Sequence, residues 1–232
     1  MATLSGTSGT AGHHRPRLSR GRLAVLALGV ALIVAGVLVI AVPQYRVWQR
    51  GQADDQALQT WNAGGSAKLA GPVADATPLP AGLPTSTAAP GAVAACGGAS
   101  APASEYALVT FPSLSAYGYA GVAGNGTWDM LTQRSMVHYD TTPAPGQQGN
   151  VIIAFHREPN FEHIDGLNVG GIVDVQDRTC HTWQYRVTQR WELDPSDVTQ
   201  LTQTNGHDLT LITCTPWYVD NHRYVWRATL VA

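Results

Sequence analysis

The chain has 232 residues, 44% of them hydrophobic, with a formal charge of −2 at neutral pH. That length holds one ordinary domain plus accessory segments. Lys68 is the only lysine and acidic residues outnumber basic ones, so no basic stripe is available to neutralise a phosphate backbone, which excludes nucleic acid as a partner.

Residues 1–22 form a basic tail carrying Arg15, Arg17, Arg20 and Arg22. Residues 23–42 (LAVLALGVALIVAGVLVIAV) follow without a charge. Twenty apolar residues in an α-helix cover the roughly 30 Å of a bilayer's hydrocarbon, so 23–42 is expected to be a single transmembrane helix. It exceeds a signal peptide's apolar region and ends in Pro43-Gln44-Tyr45-Arg46, without a clean small-residue cleavage site. Four arginines precede the run and only Arg46 and Arg50 follow it before Asp54 and Asp55. The positive-inside rule therefore places the N-terminus in the cytoplasm and everything beyond residue 42 outside the cell membrane. Tyr45 and Trp48 fall where an interfacial aromatic belt would sit. The outer part carries 10 basic and 16 acidic residues, a formal −6.

Residues 43–104 read as an extracytoplasmic Ala/Gly/Pro-rich spacer. Between Ala63 and Ser104, 34 of 42 residues are Ala, Gly, Pro, Ser or Thr, too little apolar surface to fold. As a flexible coil this stretch would span about 35 Å. Whether Ala53–Trp61 extends the preceding helix is left undecided by the sequence. Val93-Ala94-Ala95-Cys96 imitates a lipid-attachment box, but it lies about fifty residues beyond the apolar run it would have to follow.

Residues 105–232 read as one folded domain. Tyr106–Phe111 is a strand closed by Pro112, and Asn125-Gly126-Thr127 starts a short helix through Trp128, Met130 and Leu131. Asn150–Phe155 is a buried strand. Gly171–Gln176 and Thr182–Arg190 are hairpin arms around a turn at Asp177–Cys180, the second with an alternating pattern. Asp194-Pro195-Ser196-Asp197 caps one helical turn before Leu201. The two last strands carry Cys214 and Arg223. Short strands with one or two short helices predict an all-β domain, a closed or nearly closed barrel.

Leu209–Thr213 is apolar and β-branched, and Pro216 cannot donate to a ladder, so a strand should end just past Cys214. Val151–Phe155 similarly delivers His156. A thiol, an imidazole and a permanently charged guanidinium at strand ends are the parts of nucleophilic acyl transfer: nucleophile Cys214, proton carrier His156, anion stabiliser Arg223. Four residues on, Arg227 shares the strand face of Arg223 and is its internal rival.

Thr210-Leu211-Ile212-Thr213-Cys214 resembles the TLxTC signature of sortases, membrane-anchored cysteine transpeptidases. Gly149–Arg157 is similar to the family's strand ending in His, Arg223-Tyr224-Val225-Trp226 to its arginine strand, and Pro145–Asn150 to the lead-in of many members. The Pro after the cysteine and the compact Cys-to-Arg loop look most like class D or class E. The resemblance implies cleavage of a C-terminal LPxTG-like sorting signal on surface proteins, and transfer of the acyl group to an amine of a peptidoglycan precursor or a pilin. It implies catalytic Cys214, His156 and Arg223, with Thr213 and Thr210 as substrate contacts. Phe155 stands where the family usually has Gly and predicts a narrowed or reshaped site. A catalytically silent, membrane-tethered barrel that binds wall polymer or sorting peptides is the alternative.

His138 is expected to be a hydrogen-bonded structural histidine, and His163, His181, His207 and His222 lack metal-ligand spacing, so no cofactor and no transition-metal site are expected. Glu158, Glu162 and Asp165 could imitate the calcium site found in part of the family, but read as a solvated acidic face. Cys96 and Cys180 could pair, stay free or crosslink between chains.

Overall fold

The computed structural model describes residues 20–67, 101–216 and 219–231. The chain divides into two compact units, residues 1–45 and 46–232. The basic tail before Arg20, and residues 68–100 with Cys96, lie outside the described residues. A single helix, α1 (Arg20–Ala67), carries the whole apolar run and continues through the stretch left undecided above. Its N-terminal part is long and apolar enough to cross a membrane.

The second unit contains eight strands: β1 (Glu105–Thr110), β2 (Ala120–Gly126), β3 (Met136–Tyr139), β4 (Gly149–Phe155), β5 (Ile172–Asp177), β6 (Thr182–Leu193), β7 (His207–Thr215) and β8 (His222–Leu230). They close into a barrel in the order β1-β2-β3-β4-β7-β8-β6-β5. Two pairs, β2 with β3 and β4 with β7, are parallel and the rest antiparallel. The expected all-β barrel is therefore fully closed, with short 3₁₀ turns at 128–132 and 199–201 where helical turns were expected.

β2 was not among the expected strands. In its sequence AGVAGNG only Val122 is a side chain of the kind that favours strands. The reason is packing from outside: a Cβ on Gly124 would lie 2.4 Å from the sulfur of Met130, and one on Gly126 2.7 Å from its methyl. The glycines let the 128–132 turn close down on the sheet.

Every residue of β4 is buried, because both faces of the strand are covered. Side chains alternate across a strand, so Val151, Ile153 and Phe155 point into the barrel core with Leu209, Leu211 and Trp226. Ile152 and Ala154 point outward, joining Val137, Ile212 and Val225 in a second apolar cluster. Trp128, Leu131 and Leu201 from the two 3₁₀ turns pack over that cluster. The same alternation carries the next outward positions, His156 and Cys214, beyond the apolar cover.

Candidate active site

The outer ends of β4, β7 and β8 open into a cleft of about 360 Å³. Its walls include Trp128, Leu131, His156, Val198, Leu201, Cys214 and Arg223. Register accounts for the convergence. β4 and β7 run parallel with Ala154 opposite Ile212, so two residues further His156 and Cys214 come level. β7 and β8 are antiparallel with Cys214 directly opposite Arg223. The parallel pair is pinned just below the cleft by Thr213, whose hydroxyl donates to the Phe155 carbonyl at 2.7 Å.

Cys214 is the free thiol among the described cysteines and is partly exposed. Burial pushes its thiol above the ordinary cysteine range, while the nearby Arg223 cation pulls the other way and Asp220 and Glu158 add to the rise. Burial also lowers the basicity of His156, and Arg50 adds to that. The Leu131 carbonyl beside the ring and the charge of Asp220 oppose the change. Both shifts favour the uncharged forms, thiol and imidazole. The backbone N–H of His156 donates to Ser135 O at 2.7 Å. Its Nε2 lies 2.7 Å from Leu131 O and 3.0 Å from Arg50 Nη1.

Arg223 is half-buried and donates through Nη1 to the carbonyls of Asp220 and His222 at 3.0 and 2.9 Å. These bonds hold the guanidinium at the cleft while leaving most of its five donors available. Arg227 lies lower on β8, opposite Thr210. Its Nη2 donates to Gln200 O at 3.2 Å, and it does not line the cleft.

Of the two expected substrate contacts, Thr213 borders the cleft and Thr210 does not. Thr210 is fully buried, and its hydroxyl donates to Asn150 Oδ1 at 2.6 Å, tying β7 to β4 away from the cleft. Thr213 borders the cleft, but its hydroxyl is engaged by Phe155 O. Phe155 is among the residues lining the cleft, yet its side chain belongs to the barrel core. Its ring turns into the core, 5.1 Å from Phe161 and 6.2 Å from Phe111 between centroids, where a large residue is an asset.

His138 is buried, stacked on Tyr106 with ring centroids 4.2 Å apart. Its ring nitrogens reach Asn125 Oδ1 and Pro143 O at 2.8 and 3.0 Å. Asp165 pairs with Arg157 at 3.0 Å. Among the described residues no three His, Cys, Asp or Glu side chains converge to hold a metal ion. Cys180 is disulfide-bonded.

Three residues of the site escape a reading of motifs. Trp128 and Leu131 are brought in by the glycines of β2. Arg50 is brought in by α1, and its signal was the spacing of Arg50, Asp54, Ala57 and Trp61 along one helical face.

A sortase domain model matches residues 111–231. A sortase D5 transpeptidase of Clostridium perfringens is 30% identical, with 55% of this chain and 79% of that chain covered and a TM-score of 0.49. Sortase C1 of Streptococcus agalactiae is 22% identical, with 56% and 68% covered and a TM-score of 0.50, a likeness of fold alone. No curated protein sequence matched the chain. The family model covers residues 111–231, more than half of the chain: this protein belongs to the sortase family of transpeptidases.

Proposed function

We propose that the chain is a membrane-anchored cysteine transpeptidase that cuts an LPxTG-like C-terminal sorting signal and joins the acyl part to an amine. The observation that carries this reading is the rank of three residues across neighbouring strands: His156 at the end of β4, Cys214 on β7, Arg223 on β8. Cys214 gives its proton to His156, and the thiolate attacks the carbonyl carbon of the scissile bond. Arg223 stabilises the resulting oxyanion by charge-assisted hydrogen bonds. The imidazolium then protonates the departing amine, leaving a thioester on Sγ. An incoming amine loses its proton to His156, attacks the thioester and releases the free thiol.

The apolar lining of Trp128, Leu131, Val198 and Leu201 suits the Leu and Pro of such a signal, whose extended backbone fits a cleft built on strand ends. Anchoring by residues 23–42, with residues 1–22 in the cytoplasm and the barrel outside, would set the active site where surface proteins and wall precursors or pilins meet. A class D or class E type of sortase is the reading that the Cys-to-Arg loop supports. The rival reading of a silent scaffold rested on Phe155, whose ring lies in the core, and no other observation favours it.

The test is mass spectrometry of the full chain in detergent with a panel of LPxTG-like peptides and an amine acceptor. The expected result is a thioacyl adduct on Cys214 and a ligated product, both abolished in Cys214→Ala. Neither product from folded protein across the panel, or full activity in Cys214→Ala, would remove the reading.

A further inference from the structure

Arg50 reaches His156 because the C-terminal part of the helix that carries it packs against the barrel. Arg50, Asp54, Ala57 and Trp61 are spaced four, three and four residues apart and so share one helical face. Asp54, Ala57 and Trp61 are all buried, Trp61 to 1% exposure. Trp61 Nε1 donates to Gln176 Oε1 on β5 at 3.0 Å. Asp54 accepts from the Ser135 N–H at 3.2 Å and from Asn160 Nδ2 at 2.8 Å. Ser135 is also the residue whose carbonyl holds the His156 backbone. The helix is thus secured one turn and three turns beyond the arginine that touches the histidine.

At the imidazole the two partners of Nε2 make opposite demands. A guanidinium offers only donors and a carbonyl only acceptors. Arg50 at 3.0 Å therefore requires Nε2 to be bare, with the ring neutral and its proton on Nδ1. Leu131 O at 2.7 Å requires Nε2 to carry a proton. One nitrogen cannot satisfy both. With Leu131 O as the partner, Nδ1 is left to exchange protons with Cys214: Sγ–H breaks, Nδ1–H forms, and the cation keeps its Nε2–H on the carbonyl. With Arg50 as the partner, Nδ1 already holds a proton and the ring's one lone pair faces a cation.

We propose that Arg50 is a positioning residue that parks His156 in the tautomer unable to take the Cys214 proton, and that the working cycle runs with Nε2–H on Leu131 O. This rests on the role given to His156 above. The charged groups that act on the imidazole are Arg50 from α1 and Asp220 from the β7–β8 turn, and Cys214 and Arg223 line the same cleft. Asp220 favours the cation and Arg50 opposes it, so removing Arg50 should release the ring.

The test is nitrogen NMR of the full chain in detergent, labelled with ¹⁵N-histidine and assigned by loss of the signal in His156→Gln. In the unaltered chain at neutral pH, Nε2 is expected to show the unprotonated shift. Arg50→Met should move the proton from Nδ1 to Nε2 and shift the His156 titration to higher pH, while Arg50→Lys, which keeps a cationic donor, should keep the original tautomer. Circular dichroism checks the fold, and Arg50→Leu serves if the Met variant unfolds. A protonated Nε2 in the unaltered chain, or the same tautomer and titration with Arg50 removed, would overturn the proposal. The NMR readout needs no substrate. A tautomer change without peptide ligation would therefore leave the hold of Arg50 standing and remove only the transpeptidase assignment.

Discussion

One helix carries two stretches with opposite ways of satisfying apolar surface. From Leu23 to Val42 the side chains are apolar all round and almost all exposed, Leu32 to 65% and Val39 to 74%. From Arg46 to Ala63 the helix is largely polar, with one narrow stripe that is buried against the barrel. A helix that is hydrophobic on every face requires an apolar surrounding, protein core or membrane, whereas one with a stripe requires only a partner on one side. Helical propensity is therefore no guide to role here. What distinguishes the two stretches is whether the apolar positions are periodic, and the periodic one carries Arg50 to His156.

Substitutions along α1 test that division, and the largest effect is expected at Trp61. Trp61→Ala should cost about 3–5 kcal/mol of barrel stability, read by urea unfolding of the full chain in detergent and followed by far-UV circular dichroism. A loss below the error of the measurement would mean that the stripe is not part of the domain. Asp54→Ala leaves the Ser135 N–H unpaired and should cost about 1–3 kcal/mol in the same assay. The third effect is the pH dependence of the unfolding free energy. Burial lowers the basicity of both His138 and His156, so in acid the unfolded chain binds more protons than the folded one. Stability should be fully present above the unfolded value of about 6.5 and fall as pH drops below it, with a slope of up to about 1.4 kcal/mol per pH unit for each imidazole. Arg50→Met should reduce the His156 share of that slope; an unchanged slope would separate the helix from the histidine. The smallest effect belongs to the apolar stretch: Leu32→Ala should change barrel unfolding by less than about 0.5 kcal/mol. A larger loss would erase the distinction between the two stretches.

Much of the barrel was legible because its strands follow the rules that sequence reading relies on. β4, β6, β7 and β8 have alternating or continuous apolar residues bounded by turn residues, and their ends carried Cys214, His156 and Arg223. β2 was illegible for the opposite reason: its glycines serve Met130, a residue of another element, so the strand has none of the bulk that marks a strand. The motif threonines show a similar limit. Their place beside Cys214 suggested contact with substrate, yet Thr210 and Thr213 spend their hydroxyls on Asn150 and Phe155. Phe155 looked like an obstruction only because a sequence does not say which side of a strand faces the core. The stripe on α1 is readable in principle by its spacing, but Arg50 reads equally as a flanking charge of the apolar run.

The parallel pairing of β4 with β7 has a consequence for how this domain tolerates change in length. Three side chains from three strands meet only because the strands end in step, and one inserted or deleted residue in β4 would send the Phe155 ring into the cleft and the His156 imidazole into the core. The loops that join the strands have no such constraint, since they can lengthen without altering the count along the ladder. Variation in recognition should therefore accumulate in the connections, around 128–132 and 194–201, while the strands behave as a fixed scale against which nucleophile, base and cation are aligned.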